Sequence, residues 1–212
     1  MVFFSIKRVL AFAWHIYAHN APFLTGLLIL LVAFAFGNHF ITLVMMREES
    51  LFVGLAIFSV GWFLSVLFGM GFTYITIRLA RRKVMRHEDL LTPAPSLFRY
   101  ISASILYGLI VSVGLLLFVV PGIIWGTKYF FYRYLFVDQD LDPLQALYIS
   151  GKMTEGVRLK LLGFFMVLLG INLFGLLLFG LGLLVTVPVT LLAIARVYNR
   201  LLCAMERTQP VE

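Results

Sequence analysis

The chain has 212 residues, of which 62% are hydrophobic and 13% are charged, and its formal net charge is +7. Soluble domains are about 25% charged, so this composition excludes an ordinary water-soluble fold. The single cysteine, Cys203, excludes an intramolecular disulfide and a multi-thiolate metal site.

Residues 3–18 have the pattern of an amphipathic helix. One face carries Ile6, Val9, Leu10, Ala13, Trp14 and Tyr17, and the charged residues lie elsewhere. We predict that this helix lies in the headgroup region of a membrane, with Trp14 as an interfacial anchor. His15 and His19 are four residues apart, but no third metal ligand accompanies them, so we predict no metal site.

Two apolar segments follow, 23–45 and 51–77, and a short polar loop separates them. Each is long enough to cross a bilayer, which takes roughly 20 helical residues. In the next apolar stretch, Pro121-Gly122 indicates a turn because proline ends a helix and glycine tolerates the reversal. This turn divides the stretch into spans 100–120 and 122–137.

The last apolar run, 161–195, would be about 52 Å long as one helix, whereas the hydrocarbon core is roughly 30 Å thick. It must therefore fold back, and Gly180 and Gly182 mark the reversal between spans 159–179 and 183–203. The predicted fold is all-α, a polytopic membrane protein with six transmembrane helices and additional interfacial helices.

The distribution of basic residues predicts the orientation. With six spans, sixteen of the 17 Lys and Arg residues fall on one side, and only Arg47 falls on the other. Cytoplasmic loops are enriched in Lys and Arg, so both termini should be cytoplasmic. We expect a multi-pass protein of a bacterial cytoplasmic (inner) membrane.

Residues 143–155 should form a second interfacial helix. Asp142 is a suitable N-cap, Pro143 suits the first helical position, and Gly156 ends the pattern. The apolar face contains Leu144, Leu147, Tyr148 and Met153. Amphipathic segments followed by two spans begin near residues 3, 81 and 142, which raises the hypothesis of a threefold repeat. Any series of membrane hairpins shows a similar order, so the alternative of no repeat stays open.

One stretch, 121–202, resembles a known family. Its Val-Pro-Gly-Ile-Ile at 120–124 is followed by the run 136–147, Phe-Val-Asp-Gln-Asp-Leu-Asp-Pro-Leu-Gln-Ala-Leu, and then by Ser150, Met153-Thr154, Gly156 and 161–163. This pattern resembles the YciC-like bacterial inner-membrane proteins and the related membrane domain of some glycerophosphodiester phosphodiesterases. Gly151 and Gln139 depart from it. The resemblance implies a six-helix inner-membrane protein associated with envelope integrity and lipid metabolism, and it implies no catalytic residues.

A basic cluster follows the second span. It consists of Arg78, Arg81, Arg82, Lys83 and Arg86. We predict that residues 78–91 continue the helix of span two, so that Arg78, Arg82 and Arg86 share one face. Such a cluster could bind anionic lipid headgroups, since each charge contributes around 1 kcal/mol near such a surface. The alternative is that the cluster only sets the topology.

Small residues recur at helical spacing in two spans. Span two contains Gly61, Ser65 and Gly69, and span three contains Ser104, Gly108 and Ser112. Small residues allow helices to approach closely in lipid. We predict helix packing within the protein, with a homo-oligomer contact as the alternative.

Lys128 would lie near mid-membrane if 122–137 were one helix, whereas Arg133 is close enough to the end to reach the headgroups. A charge at that depth costs at least roughly 2.5 to 3.5 kcal/mol, so Lys128 and Asn172 are candidates for an intramembrane polar site. The alternative is that the span is tilted and Lys128 reaches the headgroups.

No phosphate-binding loop, zinc-binding helix or nucleophile motif occurs. We predict a non-enzymatic protein without a cofactor, which binds anionic lipids or membrane partners and no nucleic acid. The alternatives are a small transporter or lipid-translocating protein and, less favoured, a membrane enzyme or its accessory subunit.

Overall fold

The computed structural model describes residues 4–48, 51–83 and 96–208. In that part of the chain, every regular element is an α-helix, which confirms the all-α class. The helices are α1 (Ile6–Glu48), α2 (Leu51–Ala80), α3 (Leu97–Leu117), α4 (Val119–Tyr129), α5 (Tyr132–Gln139), α6 (Pro143–Met153), α7 (Arg158–Leu177) and α8 (Leu183–Thr208).

Five of the described helices are long and apolar enough to cross a membrane: α1, α2, α3, α7 and α8. The multi-pass helical architecture thus agrees with the sequence, but six spans are not confirmed. The predicted fourth span, 122–137, is divided between α4 and α5 by a break at Phe130 and Phe131. With 11 residues, α4 is about 16 Å long, which is too short to cross a bilayer alone.

The predicted N-terminal interfacial helix is the first part of α1. A kink at Asn20, where φ is −120°, separates it from the first span, and Pro22 explains the kink because its ring nitrogen cannot donate a helical hydrogen bond. The hydroxyl of Tyr17 lies 2.9 Å from that of Thr25 across the bend. Val9, Ala13 and Tyr17 are buried against the protein, and Trp14 is 56% exposed.

The second helix ends earlier than the sequence predicted. It stops at Ala80, where the amide of Arg82 donates to the carbonyl of Leu79 and the amide of Lys83 donates to that of Arg78. Arg82 has a φ of 56°. These are the two hydrogen bonds of a Schellman motif, in which a left-handed residue terminates the helix. The predicted continuation of the helix through residue 91 is therefore wrong, and residues 84–95 lie outside the described part.

The predicted reversal at Gly180 and Gly182 is present between α7 and α8. Phe179 and Gly180 both have positive φ values. The two helices approach so closely here that a Cβ on Gly182 would lie 2.5 Å from the carbonyl oxygen of Gly175. Glycine is required at this contact because any side chain would displace the backbone.

The bundle has two opposite ends. We call one of them the basic end, where α2 and α5 end, α6 lies and α7 begins. The Lys160 amine lies 5.2 Å from the ring of Phe4 there, and the Arg196 guanidinium lies 4.1 Å from that of Phe12. The other, the far end, contains the α7–α8 turn. The threefold repeat is not confirmed, since its second amphipathic segment lies outside the described residues.

Candidate functional site

A groove of about 640 Å³ lies between α2 and α3, and we call it the α2–α3 groove. Its walls come from five helices, and most of the lining side chains are apolar. They are Leu28, Leu31, Trp62, Val66, Phe72, Ile101, Ile105 and Leu191. Ile105 is 67% exposed and Trp62 is 44% exposed, so the groove opens onto the outer surface of the bundle. Its volume lies within the range of small-molecule sites, roughly 300 to 1,000 Å³.

Arg133 is the charged residue of this groove. It extends from α5, and its electrostatic neighbours are the hydroxyl groups of Tyr100 and Tyr132. Among the described residues, no carboxylate oxygen lies within 4.0 Å of its guanidinium group. Arg133 is exposed, and among the described residues it has hydroxyl neighbours but no carboxylate to balance its charge.

Hydroxyl groups hold the α5 end of the groove in place. The hydroxyl of Tyr132 donates to Ser104 Oγ at 3.0 Å, and Ser104 donates to the carbonyl of Tyr100 at 2.9 Å. The ring of Tyr132 also stacks on that of Tyr107, with centroids 4.8 Å apart. These contacts attach α5 to α3 and fix the position from which Arg133 projects.

The small-residue positions have different surroundings. Gly61 packs against Asn38 of α1, so a Cβ there would overlap the Asn38 amide. Ser65, Gly69 and Ser104 line the α2–α3 groove. No atom lies within 4 Å of a Cβ built at Gly108, and Ser112 is exposed. Gly61 thus contacts α1, whereas three of the other positions line the groove, and helix packing through the remaining positions stays a prediction.

Arg81 of the predicted basic cluster makes a tertiary ion pair at the basic end. Its two terminal nitrogens each lie 2.6 Å from an oxygen of Asp138, and its Nε donates to Asn199 Oδ1 at 2.9 Å. The Tyr198 hydroxyl also donates to Asp138 at 2.7 Å. Burial works against the charge of Arg81, but the hydrogen bonds and charge of Asp138 outweigh it and raise the pKa of Arg81. Arg81 therefore holds α2, α5 and α8 together.

The other described members of the basic cluster do not share one helical face. Arg78 is the last basic residue of α2, and its guanidinium lies 5.9 Å from the ring of Tyr74. Arg82 and Lys83 are exposed beyond the helix end. Arg86 lies outside the described residues. The predicted ridge of Arg78, Arg82 and Arg86 is wrong for Arg82, because the chain leaves the helix before that residue.

Lys128 and Asn172 are not brought together. Lys128 is in the last turn of α4, with its amine 4.8 Å from the ring of Tyr129, and it lines a pocket with Arg158 at the start of α7. Asn172 lies 14 residues after Arg158, about 21 Å along α7, and donates to the Leu168 carbonyl at 3.0 Å. The break after Tyr129 ends the continuous helix on which the mid-membrane position of Lys128 depended.

No protein-family model, curated protein or solved structure matches the chain. The resemblance to the YciC-like proteins therefore stays a prediction.

Sequence reasoning missed the role of Arg133 because it assigned this residue to the end of one long helix. Arg133 lies close to Asp138, which follows the predicted span, so its side chain was expected to reach the headgroups. The available signal was Phe130-Phe131 followed by three residues with polar groups, Tyr132, Arg133 and Tyr134. A polar run of this kind is unusual inside a lipid-facing span and could have suggested that the helix breaks there.

Proposed function

We propose that this chain is a non-enzymatic membrane protein that binds an anionic phospholipid in the α2–α3 groove. The lipid phosphate would pair with Arg133, and an acyl chain would lie along the apolar wall. The observation that carries the proposal is the position of Arg133, which lines a mostly apolar groove and has no carboxylate partner among the described residues. Ionisable residues among membrane helices are costly and usually have a functional partner.

The lining of the groove supports binding more than catalysis. Besides Arg133, its polar side chains are Ser65, Thr73, Tyr100, Ser104 and Tyr132, and the lining residues include no histidine, cysteine or carboxylate. General acid–base and nucleophilic mechanisms usually need such groups next to one another. An arginine pairs well with phosphate because its planar nitrogens can donate two parallel hydrogen bonds.

The proposal includes a location in a bacterial inner membrane with both termini in the cytoplasm, and a role in lipid or envelope homeostasis. It is supported by the sorting of sixteen Lys and Arg residues to one side in the predicted topology. Contacts of Phe4 and Phe12 with Lys160 and Arg196 also place the start of the chain at the basic end.

The test is retention of lipid by the full-length protein purified in a mild detergent, measured by lipid mass spectrometry. We expect the wild-type chain to retain anionic phospholipid. Arg133→Gln should remove the phospholipid held in the α2–α3 groove and so lower this retention, since it removes a charge-assisted contact. Gly69→Leu should also reduce lipid retention. Gly69 lines the groove, and no atom lies within 4 Å of a Cβ built at this position, so the leucine side chain would occupy the space of the lipid.

Two matched variants control for charge and for size. Arg99→Gln removes a cation that pairs with Asp140 on the surface, and Gly170→Leu enlarges a glycine of α7 that also has open space around it. Both should retain wild-type amounts of lipid. Equal lipid retention by wild type, Arg133→Gln and Gly69→Leu would contradict the proposed function.

A further inference from the structure

A second, smaller pocket lies where α4, α6 and the start of α7 meet, and we call it the α4–α6 pocket. Its volume is about 170 Å³. Three cations line it, Lys128, Lys152 and Arg158, together with one carboxylate, that of Glu155. The pocket shares no lining residue with the α2–α3 groove. Its formal charge is therefore positive, and it is a separate site.

The cations of this pocket have no anionic partner in the described part of the chain. The Lys128 amine lies 4.8 Å from the ring of Tyr129, and the Lys152 amine lies 4.7 Å from that of Tyr148. No carboxylate oxygen, including those of Glu155, lies within 4.0 Å of either amine or of the Arg158 guanidinium. The two ammonium groups thus lie beside aromatic rings, and no carboxylate in the described part of the chain neutralises the three charges.

Arg158 is partly buried at the start of α7. Its Nε is buried and has no hydrogen-bond partner. A buried donor without an acceptor costs roughly 1 to 3 kcal/mol, and more when the group is charged. An anion in the pocket would pair with the guanidinium charge and so offset part of this cost.

The pocket is held in shape by α6. Ser150 and Thr154 both donate hydroxyl hydrogen bonds of 3.1 Å to the carbonyl oxygen of Lys128. This carbonyl is in the last turn of α4, where helical carbonyls have no donor within the helix. Gly151 leaves room for the lysine stem, since a Cβ there would lie 3.0 Å from Lys128 Cε. These contacts fix the position of Lys128 against α6.

We infer that the α4–α6 pocket binds a phosphate group. A guanidinium and two ammonium groups can together donate to several oxygens of one tetrahedral anion. The surrounding surface favours a phospholipid headgroup as the source, because Leu144, Tyr148 and Leu159 are 71%, 62% and 87% exposed beside the pocket. Free phosphate would use the same three cations and is the other source to test.

The experiment is native mass spectrometry of the full-length protein in a neutral detergent. Three probes are compared: short-chain phosphatidylglycerol, short-chain phosphatidylcholine and inorganic phosphate. We expect phosphatidylglycerol to bind more tightly than phosphatidylcholine. Arg158→Gln and Lys152→Gln should each lower the affinity of this pocket for phosphatidylglycerol about tenfold. Because Lys152 is exposed, its variant should fold even if Arg158→Gln does not. Lys7→Gln, at an exposed cation of α1, is the control and should bind normally.

The outcomes identify the source and separate the two sites. Binding of inorganic phosphate with the same dependence on Arg158 and Lys152 would support a phosphate site for a soluble ligand. Binding unaffected by both substitutions, or absent for all three probes, would overturn the inference. In an Arg133→Gln background, phosphatidylglycerol binding should still fall when Arg158 is replaced. The α4–α6 pocket can therefore be tested even if the α2–α3 groove binds no lipid.

Discussion

At the basic end of the bundle, side chains from several helices are buried together, whereas the far end exposes large apolar side chains. Tyr134, Phe131 and Tyr198 of the basic end are almost fully buried, but Phe179 in the α7–α8 turn is 99% exposed and Leu177 is 78% exposed. Lipid tails are as apolar as leucine, so burying leucine from lipid contributes little stabilisation. The far end can therefore leave apolar side chains facing lipid.

Different interactions hold the two regions together as a result. The basic end is held by the Arg81–Asp138 ion pair and by aromatic contacts. The ring centroid of Tyr198 lies 6.3 Å from that of Phe131 and 5.6 Å from that of Tyr134. The far end uses close backbone approach at Gly175 and Gly182. The comparison suggests that polar and aromatic contacts stabilise the region near the headgroups, and small residues stabilise the region within the lipid.

The largest expected difference between the two ends is their accessibility. With Cys203 replaced by serine, single cysteines at Glu49 or Leu181 should react with an impermeant thiol reagent added outside the inner membrane, and a cysteine at Gln145 should not. Leu181 lies in the α7–α8 turn of the far end, and Gln145 lies in α6 at the basic end. Labelling of Gln145→Cys in intact cells would contradict the orientation and the count of six crossings.

The next largest effect should come from the ion pair of the basic end. Asp138→Asn should lower the free energy of unfolding by about 2 to 3 kcal/mol, because the Asp138 side chain is only 7% exposed and accepts from both Arg81 and Tyr198. The measurement is chemical denaturation in detergent micelles.

Asp140→Asn is the matched control. Asp140 pairs with Arg99 at 3.0 Å, but the two side chains are 60% and 47% exposed, so the loss should be below about 1 kcal/mol. Equal destabilisation by the two variants would mean that burial of the Asp138 pair does not stabilise the basic end.

At the far end, Gly182→Ala should destabilise the protein by about 1 to 3 kcal/mol, because the new methyl group would lie 2.5 Å from the Gly175 carbonyl oxygen. Gly170→Ala in α7 has no atom within 4 Å of the new group, so it should be neutral or stabilise by up to about 1 kcal/mol through helix propensity. Thermal unfolding in detergent compares them. A harmless Gly182→Ala would show that close packing is not needed at this turn.

The smallest effect is expected at the end of α2. Arg82 has a φ of 56°, a conformation that favours glycine, so Arg82→Gly should raise the free energy of unfolding by about 0.5 to 1 kcal/mol. Lys83→Gly removes the same charge at a position without a positive φ and should give no gain. The difference between the two variants, measured by denaturation, reports backbone strain separately from charge. Equal effects would contradict this explanation.

Much of the architecture could be predicted from local patterns. The α7–α8 reversal followed from a 35-residue apolar run that is too long for one crossing, and the start of α6 followed from Asp142 and Pro143. Asp142 makes no side-chain cap, however, and only Leu147 and Met153 of the predicted α6 face are buried. Helix positions depend on local composition, but the face that is buried depends on which helices lie beside it.

By itself, the sequence determined the helical class and the hairpin at Gly180 and Gly182, because these depend on hydropathy and backbone geometry near each residue. Only the tertiary structure decided that the helix breaks before Tyr132 and that Arg81 pairs with Asp138, 57 positions away. It also decided that Arg133 lines a groove while Lys128 lies beside Arg158. Contacts between distant residues leave no periodic trace in an apolar chain, because lipid-facing and buried leucines have the same hydropathy.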